Sequence, residues 1–243
     1  MPVNKMSVVL FFVSFGLGLL VSCTVVDRIN GNEHRGYYGE GEFSIDTSSI
    51  VESISNGNAD VFVSMPSSSQ SSSIATGKPV RWSQENYLLI ANALYQYVWN
   101  RPANDWNLNL MQFSVDCKLV DYGPQTGYFS FWEIFTTQEG RRRVEHQIYI
   151  KPLKNSVNWY EIQYHPVVVD WPKINVDELN VSAIEALTIA EDAGGRLIRL
   201  TVENKCMIIE TLAPRKEGNP YIWTVQYTDN YAVSVDAITG KVR

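Results

Sequence analysis

Three histidines, three cysteines and a pair of glutamates in neighbouring apolar runs are the residues of this 243-residue chain whose types could carry chemistry. His34, His146 and His165 stand far apart, and no H-x-x-x-H or C-x-x-C spacing supplies a second ligand. No metal site and no cofactor are therefore expected. The G-x-S-x-G, Walker-loop and G-x-G-x-x-G patterns, which would place a nucleophile elbow or a phosphate cradle, are absent from the sequence. Glu133 and Glu145 could pair across strands as the two carboxyl groups that glycosidic hydrolysis needs. Outward-facing strand polars are the favoured account of both. Cys117 and Cys206 each sit near the middle of a similar stretch, "LNLMQFSVDCKLV" and "IRLTVENKCMIIE". They could bridge in an oxidising compartment. Two buried free thiols are favoured, because equivalent positions in tandem units need not face each other and a bridge needs Cα atoms closer than about 7 Å. Of the tryptophans, Trp99, Trp132, Trp159 and Trp223 are expected mostly in the core. Trp106 and Trp171, beside polar loop and linker residues, are the candidates for an exposed aromatic binding surface.

The charge balance removes one class of partner. With 20 basic and 26 acidic residues the net charge is -6, so nucleic acid is not expected. Arg141, Arg142 and Arg143 are the longest basic run; they follow a glycine and read as a solvated hairpin tip.

The elements that must position these residues begin after a distinctive N-terminus. Lys5 precedes an uncharged run from Ser7 to Leu20, rich in Val, Leu and Phe. This is the n-region and h-region of a secretory signal, too short for a transmembrane helix of about 20 apolar residues. Leu20, Val21, Ser22 and Cys23 follow, and they resemble the lipobox of bacterial lipoproteins. That resemblance implies a diacylglycerol on the Cys23 thiol, cleavage of residues 1–22, and a protein held by acyl chains at the cell membrane or outer membrane, on the extracytoplasmic side. A thiol suits the alkylation because its thiolate is a strong nucleophile, and two acyl chains hold a protein to a bilayer without a spanning helix.

Residues 23–80 are polar, glycine-rich and then serine-rich ("SMPSSSQSSSIATGKP"), and they read as a disordered tether with a span of roughly 40 Å. The body starts near Arg81. Ser83 caps a helix whose Tyr87, Ile90, Ala91, Leu94 and Val98 share one face, with Pro102 barring its continuation. Four strand runs follow to residue 168: the alternating Met111–Leu119, Gly127–Thr137, which is aromatic and bulky on both faces, a run in which Val144, His146, Ile148 and Ile150 share a face, and Trp159 onward. After a linker at 169–181 the pattern restarts. Ser182 and Glu185 form a capping box, a helix is expected to end at Gly194-Gly195, and Ile198, Leu200 and Val202 read as a strand. Strands are then expected over "CMIIETL", from Tyr221 to Tyr227 and from Tyr231 to Val235. The expected fold is α+β: two tandem units, 81–168 and 182–243, each one helix packed on an antiparallel β-meander.

Residues 182–243 also resemble the PepSY domain, through "SAIEALTIAEDAGG", "YIWTVQYTDNYAVSVDAITGKV" and the closing Val235, Asp236, Ala237, Thr239, Gly240 and Val242. The resemblance implies a PepSY- or cystatin-like helix across a sheet, and a binding or inhibitory role linked to peptidases. The closing residues also have a plain physical reading, a turn that Asp236 and Thr239 hydrogen-bond and in which Gly240 takes a positive φ. The functional expectation is a non-catalytic, membrane-anchored binding or regulatory module with a peptide or protein partner. A structural envelope protein is the alternative, and a glycan- or peptide-acting hydrolase the least favoured reading.

Overall fold

The computed structural model describes residues 34–58, 60–64, 77–101, 107–138, 140–165, 173–213, 221–228 and 230–243. Their strands are β1 His34–Ser44, β2 Val63–Ser64, β3 Leu108–Asp116, β4 Thr126–Thr137, β5 Gly140–Lys151, β6 Ser156–His165, β7 Met207–Leu212, β8 Ile222–Thr228 and β9 Tyr231–Asp236. The helices are α1 Ile50–Ser55, α2 Gln84–Trp99, α3 Ala183–Ala190 and α4 Arg196–Thr201. The strands form one nine-stranded antiparallel sheet in the order β2-β1-β6-β5-β4-β3-β7-β8-β9.

This single sheet corrects the expectation of two tandem helix-on-meander units. β3 and β7 would each be the exposed edge of a separate meander. Instead they pair antiparallel from Met111↔Leu212 to Asp116↔Met207, which satisfies backbone groups that an open edge would leave bare. The far side is extended by β1, which runs along β6 from His34↔His165 to Ser44↔Ser156. Residues 34–44 were expected in the tether and are a full strand of the body. Within the same stretch, α1 buries Ile50, and β2 pairs with Phe43 and Ser44. The serine-rich residues 65–76 lie outside the described residues, as do 166–172 of the linker region.

One core also replaces the expected two. Strand alternation sends Met111, Phe113, Val115, Phe129, Phe131, Ile148, Ile150, Trp223 and Val225 to one face of the sheet. There they join Tyr87, Ile90, Ala91 and Leu94 of α2 and Ala183, Ala186 and Leu187 of α3 in one buried cluster. Both long helices start as the sequence predicts. Ser83 accepts from the Asn86 backbone N–H and Ser182 from that of Glu185, each with the reciprocal bond of a capping box. The two starts are tied together, since the buried Gln84 Oε1 accepts the Ala183 N–H at 3.0 Å. α2 stops at Asn100, which takes a left-handed φ of 49°.

Two further expectations change. Ile198 and Leu200 lie in α4 rather than in a strand: the chain leaves the helical region at Gly194 (φ 119°), so the first helical run ends at the glycine pair as expected, but a second helix starts directly after this kink. Cys117 and Cys206 are not free thiols but a disulfide, with Cα atoms 5.4 Å apart. The β3–β7 register explains it. Asp116 faces Met207, so the next residues outward face each other, and the Cys117 N–H donates to the Cys206 carbonyl at 3.1 Å. The closing turn forms as the sequence predicts: Asp236 Oδ1 accepts the N–H groups of Ile238 and Thr239 at 3.0 and 2.9 Å, and Gly240 has φ 69°.

Candidate functional site

The residues singled out in the sequence are not brought together. Cys23, Trp106 and Trp171 lie outside the described residues. Glu133 and Glu145 cannot form a dyad, because they project from opposite faces of the sheet. Glu133 shares the face of Phe131 and forms an ion pair with Arg101. Glu145, on the other face, is buried and accepts from Ser130 and Gln147, each at 2.8 Å. Neither is the solvated strand polar that was expected. Arg143 is likewise no open tip residue, since its guanidinium lies 4.0 Å from the Trp132 ring centroid and 4.1 Å from that of Tyr164.

His146 belongs to a polar cluster that links α2 to the sheet. Its Nδ1 is 3.0 Å from the Tyr95 hydroxyl and its Nε2 is 3.5 Å from Glu161 Oε2. Trp99 stacks on the imidazole at 4.1 Å and donates its indole N–H to the same Glu161 oxygen at 3.0 Å. Burial, and then the charge of Arg101, push the His146 pKa down to about 4, so the ring is neutral at pH 7. Phenol, imidazole and carboxylate are the parts of a proton relay. Tyr95, however, is only 1% exposed, so no substrate reaches its hydroxyl. The cluster instead fastens the end of α2 to β5 and β6. The sequence placed His146 on the face of Ile148 and Ile150, which was the available signal; Tyr95 and Glu161 carried none.

A second buried group carried no signal either. Glu210 of β7 points into the core, between its register partners Phe113 and Val225, and is fully buried. Neither carboxyl oxygen has a hydrogen-bond partner. Burial raises its pKa well above the ordinary carboxyl value.

Among the described residues, a cleft of about 410 Å³ that solvent can enter lies between the turn at 120–123 and the α3–α4 segment. Val120, Ile184 and Leu187 give it apolar lining. Arg81, Arg196 and Arg199 are set against Asp121, Glu191 and Asp192. The kink at Gly194 shapes one wall. It keeps Glu191 buried and one helical segment away from Arg199, whose guanidinium donates to both Glu191 oxygens (2.7 Å at the closest) and to Asn204 Oδ1 at 2.7 Å. The Glu191 bond raises the Arg199 pKa further. The buried pair is thus fixed, while Arg81 and Arg196 stand exposed at the rim, with Arg81 5.3 Å over the Tyr122 ring.

Gly195 is where this wall meets the sheet. It has ordinary helical angles, so alanine would gain up to about 1 kcal/mol of helix propensity in open space. A Cβ there would lie 2.2 Å from Cζ of the buried Tyr227, however. Overpacking of that order costs about 1–3 kcal/mol, and the clash wins. Gly195→Ala is therefore expected to lower stability by about 2 kcal/mol in urea unfolding; a stabilised variant would show that the wall is not seated on Tyr227.

Among the described residues, no group of three or more His, Cys, Asp or Glu side chains is placed to hold a metal ion, and no helix is long and apolar enough to cross a membrane. Comparison with known protein families, with characterised proteins and with solved structures finds no match for this chain.

Proposed function

We infer that this chain is a lipid-anchored extracytoplasmic protein whose cleft beside the α3–α4 kink binds a peptide. The cleft is the observation that carries the reading. Three arginines and three carboxylates around an apolar lining suit a ligand with both signs of charge and an aliphatic side chain, which is the chemistry of a short peptide. The cleft's fixed Glu191–Arg199 pair holds the wall in shape, so little ordering remains to be lost on binding. The disulfide agrees with a compartment outside the reducing cytosol. The PepSY-like pattern of residues 182–243, which includes this wall, agrees with binding rather than catalysis. The lipobox-like "LVSC" ending at Cys23 supplies the anchor.

Thr188 is exposed on α3 and lines the cleft, so a large side chain there fills it without entering the core. Peptides selected from a random display library on the full chain are expected to bind Thr188→Trp at least tenfold more weakly. Selection that returns no peptide, or peptides indifferent to Thr188→Trp, would sink the cleft reading. The anchor is tested separately: radiolabelled palmitate is expected in the parent chain and absent from Cys23→Ala, and equal label in both refutes it.

A further inference from the structure

The Cys117–Cys206 bridge stands at the foot of the cleft. Cys117 directly follows β3 and precedes Val120, where the 120–123 wall begins, by three residues. Cys206 follows α4 and lies seven residues after Arg199, the last cleft residue of the other wall. Ile184 lies beside Gly123 across the cleft. Among the described residues, no hydrogen bond or ion pair joins 118–123 to 183–205. The walls are therefore joined by the bridge and by the Cys117 N–H bond to the Cys206 carbonyl at 3.1 Å.

The segment that leads from the α3–α4 wall to Cys206 is held against its own preference. Glu203 and Asn204 have φ of 54° and 56°, two successive left-handed residues without a glycine. The Lys205 N–H closes the turn on the Val202 carbonyl at 2.8 Å. Asparagine tolerates that conformation, whereas glutamate enters it at a cost. Such backbone persists where its surroundings hold it. Here Arg199 Nη1 donates to Asn204 Oδ1 at 2.7 Å, and Cys206 is bonded to the residue that follows β3. The same guanidinium donates to the buried Glu191 in the cleft wall. Release of the turn thus reaches the cleft through one side chain.

We propose that the bridge is a redox switch of the cleft. Oxidised, it fixes both walls in the shape that takes a peptide; reduced, it lets the 202–206 turn relax and weakens binding. This rests on the reading of the cleft as a peptide site. The reductant is a dithiol, carried by a protein or a small molecule. Its thiolate attacks Sγ of Cys206, which is half-buried, rather than that of Cys117, which is 1% exposed. The Cys117–Cys206 bond breaks, and the Cys117 sulfur leaves as a thiolate and takes a proton. The second thiol of the reductant then displaces Cys206 from the mixed disulfide. Two electrons and two protons reach the protein, and the reductant ends as a disulfide. The β3–β7 pairs from Met111 to Asp116 are backbone bonds and hold the sheet in both states.

The test uses the full chain in detergent, oxidised, reduced with dithiothreitol, and oxidised again. Peptides selected on the oxidised chain are expected to bind the reduced chain about tenfold more weakly, an ordinary size for coupling between two sites, and to regain affinity on reoxidation. Coupling is reciprocal. Saturating peptide should therefore favour the disulfide by the same factor, a reduction potential lower by about 30 mV for two electrons. Cys117→Ala/Cys206→Ala should bind as the reduced chain does, with or without dithiothreitol. If that variant fails to fold, reduction of the parent chain, with its fold followed by circular dichroism, makes the same comparison. Hydrogen exchange separates a switch from stabilisation alone. A switch speeds exchange at 118–123 and 199–206 about tenfold more than in β5 and β6, whereas a bridge that only stabilises the fold speeds β5 and β6 at least as much. Equal affinity in both redox states, an unmoved potential, or exchange that rises evenly overturns the proposal. Peptides that bind both states alike keep the cleft reading and lose the switch. Failure to select any peptide on the oxidised chain loses the cleft reading, and faster exchange confined to the two walls still upholds their response to the bridge.

Discussion

Replacing Cys117 and Cys206 together by alanine is expected to remove about 4.5 kcal/mol of folding stability. The bridge closes a loop of sequence separation 89, and the unfolded chain loses conformational entropy in proportion to the logarithm of that length. A domain of this size has roughly 5–15 kcal/mol in total, so the loss is about three tenths of it or more. The expected drop in melting temperature is about 10–15 °C. The loop holds β4 to β6, α3 and α4, so the bridge also restrains the β3–β7 seam at which the two meanders join. Alanine is the substitution of choice because Cys117 is 1% exposed and a serine hydroxyl there would be buried. Thermal unfolding of the parent with and without reductant, beside the double variant, checks the figure. Equal melting temperatures in all three would show that the bridge contributes nothing.

Glu210→Met should do the reverse and raise stability by about 3 kcal/mol at pH 7. The carboxyl has no partner and no water-facing surface, so the folded protein keeps it protonated, while the unfolded chain ionises it near its ordinary value of 4.5. A folded-state pKa raised above the unfolded one contributes its full stability below pH 4.5. That contribution is lost at about 1.4 kcal/mol per unit as pH rises toward the folded value. His146 has the opposite sign. Its folded value of about 4 lies under the ordinary 6.5, so stability is lost as pH falls from 6.5 toward 4. Between pH 4.5 and 6.5 the two slopes cancel in the parent protein. Methionine matches the glutamate's length and removes only the first slope. The variant should therefore gain up to about 3 kcal/mol between pH 4.5 and 6.5, where the parent stays flat. Urea unfolding across that range reads both curves; an equal gain at pH 4 and pH 7 would show that Glu210 is not held neutral.

Glu210 also marks the limit of what alternation can tell. In "CMIIETL" the core face is Ile208, Glu210 and Leu212, and the sequence analysis singled out no role for Glu210. The pairing of β7 with β3, opposite Phe113 and beneath α2 and α3, buries that face. The N-cap at Ser83, the capping box at Ser182 and the Asp236 turn were legible, because each is built from side chains and backbone groups within three residues. The strand runs of β3, β5, β8 and β9 were legible for a similar reason, since alternation is a property of neighbours, and β4 through its continuous aromatic and β-branched run.

The sequence by itself determined the local elements, the acidic balance, the lack of any familiar catalytic or metal-ligating spacing, and the "LVSC" ending at Cys23. The tertiary structure alone decided that two meanders share one sheet, that β1 comes from the polar N-terminal stretch, that Cys117 meets Cys206, and that the 120–123 turn and α3 enclose a cleft. Those outcomes depend on contacts across about 60 to 130 residues, set by which open strand edge finds which partner and by the shape of a shared core. Neither quantity is written in the order of neighbouring side chains.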